Sequence, residues 1–172
     1  MKKLIMIVVT ACAISYVHAA SCRWTGMNVA LQSSADVATA YSVYLLDASV
    51  VDASTMAGYL SNGNISFLSS AIVKTTNGID AGSSMRWAVN GFGDYTAGDT
   101  YTYYTVIFNS SAAEASHYMI TSEKTLTVPN SGSMQMSFGS QANNTWQPVP
   151  EPTSGLMILL GMAGLALRRK GA

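Results

Sequence analysis

The sequence is poor in the residues that build disulfides and metal centres. It contains two cysteines and two histidines among 172 residues. Cys12 and His18 lie in an N-terminal stretch with the features of an export signal, so the mature chain keeps only Cys22 and His117. One thiol cannot form an intramolecular disulfide, and one imidazole cannot build a zinc site of several histidines. We therefore expect no metal site and no cofactor, and we interpret Cys22 as a reduced packing residue, with an intermolecular disulfide as the alternative.

Charged residues are also scarce, at 10% of the chain. The formal net charge is zero, but the two chain ends hold most of the basic residues. The part between them keeps four basic residues against eight acidic ones, and the basic residues are Arg23, Lys74, Arg86 and Lys124. A mildly acidic domain without a basic patch does not attract polyanions, so no nucleic-acid partner is expected.

The chain lacks an apolar run long enough for a permanent membrane span. The C-terminal apolar run from Leu156 to Leu167, counted together with Gly155 before it, would reach about 20 Å as a helix, against roughly 30 Å for the hydrocarbon core of a bilayer. That length suits a provisional anchor or a sorting signal. Arg168, Arg169 and Lys170 follow directly, and basic residues hold a flanking end in the cytoplasm. A buried terminal helix of the domain is the alternative, which the apolar character of every face disfavours.

The N-terminus has the three parts of a secretory signal peptide. Lys2 and Lys3 precede an apolar stretch, and Val17 and Ala19 occupy the two small-residue positions that signal peptidase recognises. We predict a signal peptide over residues 1–19 with cleavage between Ala19 and Ala20. Lipidation at Cys12 or Cys22 is a weaker alternative, because the apolar stretch before Cys12 is short and Cys22 lacks the usual branched residue upstream.

The C-terminal tail combines a short motif with the apolar run and the basic end. Pro150, Glu151 and Pro152 form a triplet, and prolines on both sides of Glu151 favour an extended, unpaired backbone that a processing enzyme can bind. The tail of residues 149–172 resembles the PEP-CTERM sorting signal of exported bacterial proteins. The resemblance implies recognition of the triplet by exosortase, a membrane transpeptidase-like enzyme, and removal of the tail near the triplet. It implies nothing about the preceding domain.

That domain has the alternating pattern of β-strands. Met85, Trp87 and Val89 alternate with more polar neighbours, and similar segments recur between turn signals such as Asn77–Gly78, Asn90–Asp94 and Pro129–Gly132. We predict an all-β fold, a single β-sandwich-like domain of about seven or eight short antiparallel strands, flanked by an N-terminal signal helix and a short hydrophobic C-terminal helix. The predicted organisation is a signal peptide (1–19), a passenger domain (20–140), a spacer (141–148) and the sorting signal (149–172).

One segment of the passenger domain predicts a helix instead. Asp52 or Ser54 is a suitable N-cap, the apolar residues after it share one helical face, and Asn62–Gly63 ends the pattern. Residues 65–73 fit a helix and a strand equally well.

The acidic residues and the histidine give no catalytic pattern. Asp80, Asp94 and Asp99 stand beside glycines in predicted turns, where aspartate is common for backbone reasons, and no nucleophile-elbow motif accompanies His117. We expect the protein not to be an enzyme, and we keep a small secreted hydrolase as the second alternative.

The aromatic residues give the best candidate for a ligand site. Tyr101 and Tyr103 are two positions apart on one predicted strand, so they share a face, and Trp87 lies on another strand. On a shared outward face these rings would form a platform for sugars. The alternative is that tyrosine simply suits a half-buried pleated surface.

The sequence therefore predicts a non-catalytic exported bacterial protein of the cell surface or extracellular matrix, with a carbohydrate-binding module as the first alternative. The expected partners are signal peptidase and exosortase during export, the inner membrane transiently through the C-terminal helix, and a polysaccharide as candidate ligand. The expected location is a membrane-anchored precursor and then the cell surface or the extracellular space.

Overall fold

The computed structural model describes residues 20–32, 41–80, 84–130, 132–140 and 145–150. The predicted signal peptide and the sorting tail beyond Pro150 lie outside the described residues, as do both predicted terminal helices. None of the helices in the described ranges is long and apolar enough to cross a membrane.

The described chain is mostly β-strand, which confirms the predicted all-β class. The strands are β1 (Ala20–Ala30), β2 (Ser42–Asp47), β3 (Ile72–Asn77), β4 (Ile79–Asp80), β5 (Ser84–Tyr95), β6 (Thr100–Phe108), β7 (His117–Ile120), β8 (Lys124–Thr127), β9 (Met134–Ser140) and β10 (Gln147–Pro148). They form two sheets, one in the order β4-β5-β1-β9 and one in the order β10-β7-β6-β2-β3, with β8 also paired to β6. The described count exceeds the predicted one because β4 and β10 are two-residue edge strands that carry no alternating pattern.

The two sheets face each other across one apolar core, as in a β-sandwich. The inward residues of the four-stranded sheet include Trp24, Trp87 and Met136, and the other sheet contributes residues such as Leu45 and Ile107. The rings of the two tryptophans meet edge to face at 5.8 Å. On β5 and β9, residues at alternate positions in the sequence, such as Met85 and Trp87 or Met134 and Met136, face this inter-sheet core.

One strand pair departs from the predicted antiparallel arrangement. β1 pairs with β9 in parallel, with Cys22 opposite Met134 and Trp24 opposite Met136, whereas β1 and β5 are antiparallel. A short hairpin forces its strands to be antiparallel, but β1 and β9 are joined by most of the domain and are free of that constraint.

The predicted turn at Asn90–Asp94 is also different in the structure, because β5 continues through it. Gly91 and Gly93 have φ values of 64° and 70°, in the left-handed region that glycine tolerates. The register between β1 and β5 shifts nearby, at Cys22. The two glycines therefore form irregularities within one long strand instead of ending it.

A helical layer covers the outer face of the six-stranded sheet. Helix α1 (Ala53–Ser61) begins as predicted at Asp52, whose Oδ1 accepts a hydrogen bond from the Thr55 N–H at 2.8 Å. Helix α2 (Leu68–Ala71) follows and leads directly into β3, so the ambiguous segment of residues 65–73 contains a short helix and then the first two residues of a strand. Met56 and Leu60 of α1 pack against Tyr104 and other outward residues of β6, so β6 is buried on both faces from Tyr103 to Phe108.

Candidate functional site

The end of the domain, where the sorting tail begins, is built into the fold. β10 pairs antiparallel with β7, placing Gln147 opposite Tyr118 and Pro148 opposite His117. Pro148 has no N–H to donate, and an edge strand is where a sheet accepts proline. The Val149 N–H donates to the Ser116 carbonyl at 2.9 Å. The last two residues of the predicted spacer, Gln147 and Pro148, thus form an edge strand.

Trp146, just before β10, also binds this end of the chain to the domain. Its indole Nε1–H donates to the Ala30 carbonyl at 3.1 Å, and its ring lies 5.8 Å from that of Tyr41. The side chain is half-buried and packs against the inter-sheet core. Sequence reasoning missed Trp146 because its neighbours are polar, although an isolated tryptophan in a polar stretch could have indicated an attachment point.

Val149 and Pro150, the last two described residues, lie against the helical layer near the end of α1. Val149 packs into the apolar cluster between the helices and the six-stranded sheet. A Cβ atom on Gly63 would lie 3.0 Å from the Pro150 carbonyl oxygen, so the two backbones approach closely. We call residues 146–150 the junction segment. It brings Pro150, the first residue of the predicted triplet, to the domain surface.

The other predicted sorting residues fall outside the described ranges. These are Glu151, Pro152, Arg168, Arg169 and Lys170, and Ala19 of the predicted cleavage site. Ala20, on the other side of that cleavage site, is the first residue of β1.

The predicted aromatic platform does not face solvent. Tyr101 and Tyr103 do share a face, with ring planes 2° apart and centroids 6.0 Å apart. That face points toward the inter-sheet core, where Tyr103 is 3% exposed and Trp87 is 2% exposed. Two of the three rings are thus inaccessible to a sugar, because the alternation that aligns them also aligns them with the core.

Tyr101 alone remains partly exposed, and it lines a groove of about 470 Å³ at the end of the sandwich. Asp47 and Glu123 also line this groove. The Tyr101 hydroxyl donates to Asp99 Oδ2 at 3.3 Å, and desolvation together with this carboxylate raises the pKa of the Tyr101 hydroxyl. The exposed part of a tyrosine ring can contact a sugar, and carboxylates beside it can accept hydrogen bonds from the sugar hydroxyl groups.

The described acidic side chains mostly have local structural partners. Asp47 Oδ1 accepts from the Ser49 N–H at 2.8 Å, and Glu123 Oε1 accepts from the Ala53 N–H at 2.8 Å. Asp52 caps α1, and hydrogen bonds from Ser54 and Thr55 lower the pKa of its carboxyl group well below the ordinary value. Among the described residues no group of three or more histidine, cysteine, aspartate or glutamate side chains is placed to hold a metal ion.

His117 lies at the start of β7, next to the junction segment. Its Nδ1 is 3.0 Å from the hydroxyl of its sequence neighbour Ser116, while its backbone N–H donates to Asn109 Oδ1 at 3.0 Å. Among the described side chains, the partners of the His117 ring do not include a carboxylate. The structure thus brings together a serine and the histidine, and places neither Asp94 nor Asp99 as the third member.

Cys22 is the third residue of β1 and is buried, with an exposed fraction of 0%. Burial raises the pKa of its thiol from 9.0 to about 11, although a backbone hydrogen bond from Met136 opposes the shift. The thiol is free and stays protonated at neutral pH, as a packing residue would.

The comparison with protein families gives a match at the tail. Residues 148–170 match the PEP-CTERM protein-sorting motif, which is the similarity that the triplet, the apolar run and the basic end predicted. No curated protein and no solved structure matches the chain. The motif implies export, a membrane-anchored precursor and processing by exosortase.

Proposed function

We propose that this chain, whose tail carries the PEP-CTERM sorting motif, is a non-catalytic protein of the bacterial cell surface or extracellular matrix. The observation that supports this most directly is the motif match over residues 148–170. The sandwich is the delivered part of the molecule, and the tail directs it from a membrane-anchored precursor to the surface.

The junction segment supports the same function. Because Trp146 and Val149 are bound to the domain, the triplet begins immediately at a folded surface. Processing near the triplet would leave the two sheets intact, since every strand of the described residues lies before Pro150.

Intact mass spectrometry of the protein from membrane and extracellular fractions of its native host tests this proposal. The extracellular species should lack residues 1–19 and the residues beyond the triplet, and a host without exosortase should accumulate the tail-retaining form in the membrane. Glu151→Ala should reproduce that accumulation, whereas Thr153→Ala, just outside the triplet, should be processed normally. Release of the Glu151→Ala variant at the normal rate would contradict recognition of the triplet.

A second candidate function is carbohydrate binding at the groove beside Tyr101. The observation that favours it is that a partly exposed tyrosine lines this groove together with Asp47 and Glu123. Affinity electrophoresis of the full chain in gels containing neutral polysaccharides tests it. Asp47→Asn and Glu123→Gln should abolish any retardation while Tyr101→Phe, which keeps the ring, should preserve part of it. Equal mobility with and without polysaccharide would exclude this function.

A further inference from the structure

The junction segment fixes the point where the chain leaves the domain. The Val149 N–H is bound to the Ser116 carbonyl at 2.9 Å, and the Pro150 carbonyl lies close to Gly63, at the C-terminal end of α1. Gly63 follows directly after Asn62, the C-cap of that helix. The tail therefore starts from the end of the domain where α1 turns toward α2.

The distance from this point to the predicted membrane segment is short. Five residues, 151–155, separate Pro150 from the apolar run that begins at Leu156. Fully extended, the connection covers at most about 20 Å. A domain of about 130 residues has a radius of gyration of about 14 Å, so its diameter exceeds the length of this connection. While the tail is in the bilayer, the Gly63 end of the domain must therefore lie next to the membrane.

That end carries an aromatic pair in which Phe67 is exposed and Tyr59 is half-buried. Tyr59 of α1 and Phe67, just before α2, stack with ring centroids 4.1 Å apart and planes inclined by 14°. Phe67 is 40% exposed, which makes it one of four large apolar side chains exposed in the described chain. We call residues 59–67 the α1–α2 corner.

The α1–α2 corner is also uncharged. Residues 53–73 contain no lysine, arginine, aspartate or glutamate, although the domain as a whole is acidic. An acidic surface is repelled by anionic lipid headgroups, whereas an uncharged surface with aromatic rings suits the interfacial zone of a bilayer.

We propose that the α1–α2 corner rests on the surface of the lipid bilayer in the tail-retaining precursor, with Phe67 inserted among the headgroups. This inference rests on the proposed function, because it needs a tail that holds the chain at the membrane. A single aromatic pair binds lipid too weakly by itself, but a short tether keeps its effective concentration at the bilayer high. Removal of the tail would then abolish the contact and release the domain.

An environment-sensitive dye attached near Phe67 tests the proposal. Residues 20–172, the predicted tail-retaining precursor, carrying Ser66→Cys are labelled with a nitrobenzoxadiazole dye and reconstituted into vesicles of phosphatidylethanolamine and phosphatidylglycerol. The native Cys22 is buried, so the dye reacts at the introduced cysteine. The matched control is Met27→Cys, which is 57% exposed on the outer face of the four-stranded sheet, on the side of the sandwich opposite the helices.

We expect a blue shift and quenching by headgroup-attached nitroxide lipids at position 66 and neither effect at position 27. Adding Phe67→Ser should lower the ratio of α1–α2 corners in contact with the bilayer to those out of contact about threefold to eightfold. This factor corresponds to the transfer free energy of the 40% of the Phe67 side chain that is exposed. If the chain floats with the vesicles but both dyes stay in water, the inference fails and the proposed function stands. If the chain does not float with vesicles, both fail.

Discussion

Replacing Trp146 with alanine should detach the junction segment while the sandwich remains folded. The substitution removes the hydrogen bond to the Ala30 carbonyl, worth about 1 kcal/mol, and the contact with the Tyr41 ring. A fully buried tryptophan costs about 3–5 kcal/mol on truncation, and Trp146 is half-buried. We therefore expect a loss of about 2–3 kcal/mol in the binding of residues 146–150 to the domain.

Hydrogen exchange followed by mass spectrometry on the full chain measures this loss directly. Opening of the segment exposes the Val149 amide, whose exchange should accelerate about 30- to 150-fold if the opening free energy falls by that amount. Trp146→Phe keeps the ring and loses only the donor, so it should accelerate exchange about fivefold.

Exchange in the centre of β5, far from the junction, serves as the internal control and should not change. If the Val149 amide exchanges equally fast in Trp146→Ala and in the native chain, the indole does not hold the segment and our account of the junction is wrong. Faster exchange throughout the sandwich would also contradict it, since the segment would then be coupled to global unfolding.

Three further predictions concern the domain itself. Gly26→Ala should lower the free energy of urea unfolding by about 1–3 kcal/mol, because a Cβ there would lie 2.1 Å from the rigid Trp87 ring. The control Gly58→Ala, where a Cβ would have no atom within 4 Å, should stabilise α1 by about 0.5–1 kcal/mol. If the two substitutions changed the unfolding free energy equally, the packing described around Trp87 would be wrong. The lowered pKa of Asp52 stabilises the fold above about pH 4, and this contribution is lost as the pH falls below its unfolded value, so Asp52→Asn should show a shallower decline of the urea midpoint between pH 5 and pH 2 than the native chain. The raised pKa of Cys22 contributes stability that is present below pH 9 and is lost as the pH rises toward 11. At pH 8 a thiol reagent should therefore modify Cys22 only as fast as the domain unfolds. Rapid modification of the folded chain would show that the thiol is accessible.

The parts of the fold that follow from local pattern could be predicted from the sequence. The alternation of Met85, Trp87 and Val89 correctly predicted a strand there, and Asp52, one of the two predicted N-caps, is the residue that begins α1. The tail motif was equally local, because its three parts are contiguous at the end of the chain. In these cases the residues that carry the signal are neighbours in sequence.

The features that were missed depend on contacts between distant segments. Nothing near Trp146 indicates that its indole would meet the Ala30 carbonyl, 116 residues away. The burial of Tyr103 likewise depends on the opposing sheet, so alternation could align it with Tyr101 but could not decide whether their common face points inward. Helix α1 was predicted, but its packing over β6 was not, since a strand buried on both faces does not alternate.

The parallel pairing of β1 with β9 has a consequence for the order of folding during export. Thr25 and Met136, which these two strands bring together, are 111 residues apart in the chain. A chain that crosses the membrane from its N-terminus delivers β1 first and β9 nearly last, so the first strand has no partner on that side until almost the whole domain has emerged. Pairings of such long range make folding slow, which keeps the emerging chain unfolded while it is still passing through the membrane.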